Sequence, residues 1–163
     1  MYRKPEFIIS HESLIPISFH DTDAMRIVWH GNYIKYFELA REDMFNAFDF
    51  GYDMMKKHIF AMPIVECECK YRNPLKVTDK CAKVISMMTQ CEGKIEIHYE
   101  VYALNSDILC AYGHTAQVMI NARTNELLYI TPQPLLDAIE DFRVKKKNKC
   151  NIIFNRNTNA DIK

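Results

Sequence analysis

The chain changes its hydrophobic period several times, and each change predicts an element. Ile15, Ile17 and Phe19 alternate with Pro16, Ser18 and His20, which predicts a half-buried strand. Pro16 has no N–H to give to a ladder, so this strand is expected at a sheet edge or beginning near there. From about 32 to 49 the spacing becomes helical: Tyr33, Phe37, Ala40, Met44 and Phe48 form one apolar stripe, with Lys35, Glu38, Glu42 and Asp43 off it. Bulky apolar residues at 34, 36, 39 and 45 predict that this helix is buried on more than one side. Asn32 is the expected N-cap and Gly51 the expected stop.

After Pro63 the period returns to two. Val65, Cys67, Cys69 and Tyr71 alternate with Glu66, Glu68, Lys70 and Arg72, the cleanest strand pattern in the chain. Further strands are expected over about 80–90, 94–103 and 108–121, with Glu92-Gly93 and Asn105-Ser106-Asp107 turning between them. Ile95, Ile97, Tyr99, Val101 and Ala103 share one face. A short run at 126–130 precedes a helix near 133–143 carrying Leu135, Leu136, Ile139 and Phe142. This order predicts a single α+β domain over 1–145, an antiparallel sheet with a long helix on one face. Residues 146–163 read as a basic, peripheral or disordered tail. Both sheet faces carry apolar positions, so dimerisation is expected to cover the second.

Composition narrows the chemistry. With 163 residues, the chain suits one domain with a real core. Its 21 Lys and Arg balance 21 Asp and Glu, so no global field recruits nucleic acid or an anionic surface. The local exception is VKKKNKC at 144–150. No 18-residue apolar run predicts a membrane span, and MYRKPEFIISHESL lacks a signal-peptide core. The six cysteines include no Cys-x-x-Cys pair, which fits reduced thiols in a cytoplasmic protein. Four glycines leave no Gly-rich phosphate cradle, and no Gly-x-Ser-x-Gly elbow occurs.

The candidate chemistry lies in HDTDAMRIVWHGNY, residues 20–33, where strand gives way to helix. Asp21 and Asp23 suit turn formation through nearby backbone amides. Turn formation is the commoner role for Asp-x-Asp between elements; a carboxylate shortly before an electropositive helix end also suits acyl-transfer chemistry, which spacing alone does not establish. His20 and His30 are near, but the spacing matches no standard metal site. The His30 backbone amide is more informative than its ring. An amide at a helix N-terminus points outward unpaired in a positive field, where a carbonyl oxygen becoming an oxyanion is stabilised.

The segment FHDTDAMRIVWHGNYIKYFELARED resembles the hotdog-fold acyl-CoA thioesterases of the 4-hydroxybenzoyl-CoA thioesterase type, in particular the Tol–Pal-cluster acyl-CoA thioesterase branch. The matching positions are Asp21, Thr22, Asp23, Val28, Trp29, His30, Asn32, Tyr33, Glu38 and Arg41. Weaker matches extend over about 12–142, including Met62-Pro63-Ile64-Val65, Pro74, Asp79, Ala111-Tyr112-Gly113-His114-Thr115 and Thr131-Pro132. The resemblance implies a sheet wrapped around a long central helix, in homodimers or homotetramers. It implies an acyl-CoA substrate, coenzyme A being part of that substrate, with no metal and no separate cofactor. Asp23 matches the catalytic carboxylate and the His30 amide the oxyanion donor, while Trp29, Tyr33, Arg26 and Pro63 are expected to line the substrate. Pro63, with Ala61, is expected near the acyl group of the other subunit's site.

Arg26 departs from the family's usual glycine; arginine is expected to bring an ordinary backbone conformation and a charge at the pocket mouth. Lys94 is the nearest match to a basic residue for the nucleotide phosphates. Two alternatives accompany the acyl-CoA thioesterase reading: a non-catalytic hotdog module binding an acyl thioester or protein partner, and a thioesterase acting on acyl-carrier protein.

Overall fold

A computed structural model describes the backbone of residues 2–158 except 105 and 107, and side chains as far as Lys146. The described residues form seven strands: β1 (Ile9–Pro16), β2 (Phe60–Ala61), β3 (Ile64–Tyr71), β4 (Cys81–Gln90), β5 (Lys94–Ala103), β6 (Leu109–Asn121) and β7 (Leu127–Leu128). The α-helices are α1 (Asn32–Ala47), α2 (Tyr52–Lys57) and α3 (Gln133–Thr158). All strand pairs are antiparallel. The sheet runs β1-β4-β5-β6, with β3, β2 and β7 each pairing β6. The chain is therefore α+β.

The core forms where α1 lies on β1 and β4 and reaches across to β5. Tyr33, Tyr36, Phe37, Ala40, Met44 and Phe45 are buried on the helix. Opposite them, Val84, Met88, Ile95, Ile97, Tyr99 and Val101 are completely shielded from solvent. Phe37 stacks on Tyr99 with centroids 4.5 Å apart. Gly113 permits this approach: a Cβ there would lie 2.9 Å from the Phe37 ring and 2.0 Å from the Glu68 carbonyl oxygen. Glycine is thus required at 113 by space, on a strand that otherwise disfavours it.

Several boundaries differ from expectation, each for a local reason. The first strand ends at Pro16, and Phe19–Asp21 form a short 3-10 turn, leaving Phe19 76% exposed. β1 is at the sheet edge, where a proline is tolerated. Gly51 does not stop α1; Asp49 takes the left-handed conformation at φ 57°, and Gly51 opens α2. A short polar side chain makes Asp one of the few non-glycine residues suited to that conformation. The N-cap of α1 is Gly31, with Asn32 already helical. α3 extends well past 143 because no Gly or Pro interrupts the sequence to Thr158.

The largest difference concerns β3. Its alternation is real, yet nearly every residue in it is solvent-exposed, Val65 at 60%. Among the described residues β3 pairs with β6 alone; Cys69 packs against the core and Tyr71 lies edge-on to Tyr33 of α1, while the rest of the strand has little cover within one chain.

Candidate active site

The residues between the 3-10 turn and α1 fold back on themselves as a miniature hairpin. Thr22 bridges Val28, flanked by hydrogen bonds from Asp23 N–H to the Ile27 carbonyl (2.9 Å) and from Trp29 N–H to the Asp21 carbonyl (2.8 Å). A second bridge, Ile27 with Lys76, and the Val28 N–H to Leu75 carbonyl bond (2.7 Å) pin the hairpin to the segment before β4. Residues alternate faces in such a ladder. Val28 therefore points into the core at 4% exposure, while Trp29 faces outward.

The two aspartates occupy opposite ends of this hairpin. Asp21, at its base, is buried. Its Oδ2 accepts from the Ser18 amide (2.9 Å) and the Tyr36 hydroxyl (3.2 Å), and Lys35 Nζ lies 3.4 Å from Oδ1. Burial opposes the charge, but the Ser18 amide, Lys35 and Tyr36 outweigh it and hold this carboxyl below the usual aspartate range. The Asp21 carbonyl also accepts from Asn32 Nδ2 at 2.8 Å, tying the base of the hairpin to the first residue of α1.

Asp23, nearer the tip, is half-buried. Its Oδ1 accepts from Met25 N–H (2.8 Å) and Ile27 N–H (3.4 Å), an Asx turn, while Oδ2 has no partner among the described residues. Arg26 N–H closes the turn on the Asp23 carbonyl at 2.9 Å. The expectation of an ordinary conformation at Arg26 is overturned: its φ is 61°, the left-handed region that glycine occupies freely. The backbone turn imposes that conformation, and the arginine side chain extends to solvent.

At the helix end, the N–H groups of His30 and Gly31 make no hydrogen bond among the described residues. The His30 carbonyl is held by the Tyr71 hydroxyl (3.0 Å), which fixes the peptide plane beside it. The Trp29 indole folds over Gly31, where a Cβ would come within 2.0 Å of the ring. The His30 ring lies 4.8 Å from that indole, centroid to centroid. The site thus combines a carboxylate oxygen without a partner, unpaired amides at the positive end of α1, and an aromatic cover.

Other expected residues fall elsewhere. Tyr33 is in the core, 3% exposed, and its hydroxyl accepts from Leu75 N–H at 3.3 Å, so within one chain it offers no open surface to a substrate. Burial pushes its phenol up to about 12. Lys94 is paired with Glu96 at 2.8 Å at the start of β5. Pro63 lines a cleft of about 620 Å³ together with Phe60, Ala61, Met62 and the α1 residues Glu38 and Arg41. Asp23, Arg26, Trp29 and His30 do not line that cleft. Sequence reading missed Tyr71 as a site residue, although alternation had put it on one face with Cys67 and Cys69. Among the described residues no group of three His, Cys, Asp or Glu is arranged to hold a metal ion.

Residues 17–146 match the thioesterase-like superfamily. An Aquifex aeolicus protein named "Putative esterase" is 26% identical over 125 residues, covering 77% of this chain and 94% of its own. Among solved structures, a 1,4-dihydroxy-2-naphthoyl-CoA thioesterase from Synechocystis superposes with a TM-score of 0.72 at 22% identity, over 81% of this chain and 96% of its own. A DHNA-CoA thioesterase from Staphylococcus aureus does so with a TM-score of 0.72 at 20% identity, over 86% and 95%.

Proposed function

The chain belongs to the thioesterase-like superfamily and is a thioester hydrolase; from that premise we propose that it cleaves acyl-CoA thioesters, with Asp23 as the catalytic carboxylate and the His30 N–H as oxyanion donor. The carrying observation is the junction itself: Asp23 Oδ2 without a partner on the hairpin that leads directly into the unpaired amides of α1. The sequence motif from Asp21 to Arg41 favours the 4-hydroxybenzoyl-CoA thioesterase type and its Tol–Pal branch.

The chemistry asks little of the protein. A thioester carbonyl is electrophilic and its thiolate leaves readily. Either Asp23 Oδ2 attacks the carbonyl carbon, expelling CoA thiolate and leaving a mixed anhydride that water opens, or it takes a proton from the attacking water. On both routes negative charge builds on the carbonyl oxygen beside the His30 amide, and removing such a donor costs about 10²–10³ in rate. Trp29 forms a wall for the substrate and Arg26 offers a cation at the mouth, with Lys94 able to meet the nucleotide phosphates once released from Glu96.

The same reading places the thioester between two copies. β3 presents an unpaired edge and exposed Ile64, Val65 and Tyr71, the features of a strand that continues into a partner's sheet. A homodimer, or a tetramer built from it, then brings the Ala61–Pro63 segment of one copy towards the hairpin of the other. A cytoplasmic setting fits the free thiols of Cys67, Cys69, Cys81, Cys91 and Cys110.

The test is free-thiol release from a panel of acyl-CoA thioesters, beside the same acyl groups on acyl-carrier protein. Faster turnover of the CoA thioesters supports the reading, and turnover restricted to the carrier-protein thioesters contradicts it. Multiple turnovers in ¹⁸O-water separate the two routes: water that opens the anhydride at the Asp23 carbonyl places ¹⁸O in the Asp23 carboxylate, and the general-base route never does.

A further inference from the structure

The net charge of zero conceals a sharp division. Residues 143–163 hold seven Lys and Arg against the single acidic residue Asp161, while residues 1–142 hold 14 against 20. The basic end begins on an ordered helix. α3 docks through Leu135 and Ile139, both buried, and Phe142 packs on Phe48 with centroids 5.9 Å apart. Lys146 Nζ then bonds the Ser10 carbonyl at the sheet edge. Beyond that contact the helix continues through Thr158, a further ~18 Å at 1.5 Å per residue. Arg143, Val144 and Lys145, just before it, are already solvent-exposed. The extension carries Lys147, Lys149 and Arg156, with the apolar run Ile152-Ile153-Phe154 between the lysines and the arginine.

We propose that this helical extension is an arm that docks the enzyme on an anionic phospholipid surface, with the acidic body held away from the bilayer. Two observations point to lipid over the other polyanions. An acidic body repels an anionic surface unless a separate element makes the contact, and the charge changes sign from residue 143, along the last turns of α3. The run Ile152-Ile153-Phe154 adds apolar residues, which a bilayer interface accepts alongside cations and which a phosphate backbone has no use for. Among the described residues no helix is long and apolar enough to cross a membrane, and an attachment through exposed cations is salt-sensitive. This inference is independent of the thioester reading.

The experiment is co-sedimentation of the full chain with vesicles of phosphatidylcholine alone or mixed with phosphatidylglycerol, at low and high salt. Binding confined to the mixed vesicles and lost at high salt is expected. Replacing Lys145, Lys147, Lys149 and Arg156 with Gln leaves the Lys146–Ser10 contact intact and should weaken binding by up to about 1,000-fold. Ile152→Ser with Phe154→Ser should weaken it further in the charged chain without changing the melting temperature. Equal binding to both vesicle types, unchanged binding by the four-Gln variant, or preference for a DNA duplex over the mixed vesicles would overturn the proposal.

Discussion

The base and the nearer-tip end of one small hairpin carry the same side chain in opposite circumstances. Asp21 is buried, with three partners for its carboxylate and a carbonyl that holds the helix start. Asp23, two residues on, spends one oxygen on its own turn and leaves the other open. A carboxylate whose oxygens are all committed builds structure, and one with an oxygen to spare is available for chemistry. The pair therefore divides stability from activity within a few residues, and variants can pull the two apart.

The largest structural effect should come from the base. Asp21→Ala orphans the Ser18 amide and the Tyr36 hydroxyl and leaves Lys35 without its partner, at a cost of about 2–4 kcal/mol in unfolding free energy, measured by denaturant titration. The same residue predicts a pH dependence. Its folded-state pKa is depressed, so its contribution to stability is present above the unfolded aspartate pKa and is lost as pH falls through the folded value. Asp21→Asn should flatten that acid limb of the stability profile; an unchanged limb would remove Asp21 from the role of anchor.

A smaller effect of opposite sign is expected in the turn. Arg26→Gly relieves a left-handed arginine and, after the greater chain entropy of glycine in the unfolded state, should stabilise by about 0.5–1 kcal/mol. Loss of stability would mean that the arginine side chain makes a compensating interaction. The smallest change is expected at Gly31→Ala, where the added Cβ must displace the half-exposed indole of Trp29. Because Trp29 is the only tryptophan, its fluorescence should shift while the melting temperature moves little.

Much of this was legible in the sequence where a local rule met a local neighbour. The stripe Tyr33, Phe37, Ala40 and Met44 became the buried side of α1, and the Ile95-to-Val101 alternation became the floor beneath it. β3 had the cleanest alternation and is the most exposed strand, because a period of two reports a strand and says nothing about what covers it. The conformation of Arg26 was not legible for a related reason. Propensity argues against a left-handed arginine, whereas the Asx turn at Asp23 and the ladder from Thr22 to Val28 impose it. Gly31 and Gly113 looked alike in sequence, yet one makes room for an indole and the other for a phenylalanine ring and a carbonyl. Those demands come from residues that meet only after folding. Tyr71 was hidden in the same way, since its contact with His30 spans 41 positions.

The central claim is that Asp23 performs the chemistry, and the steady-state rate of acyl-CoA hydrolysis by Asp23→Asn tests it most directly. The variant keeps an oxygen for the turn amides of Met25 and Ile27, so its melting temperature should match the wild type. Its kcat should fall by about 10²–10⁴. A folded Asp23→Asn protein that hydrolyses its best acyl-CoA at the wild-type rate would contradict the account.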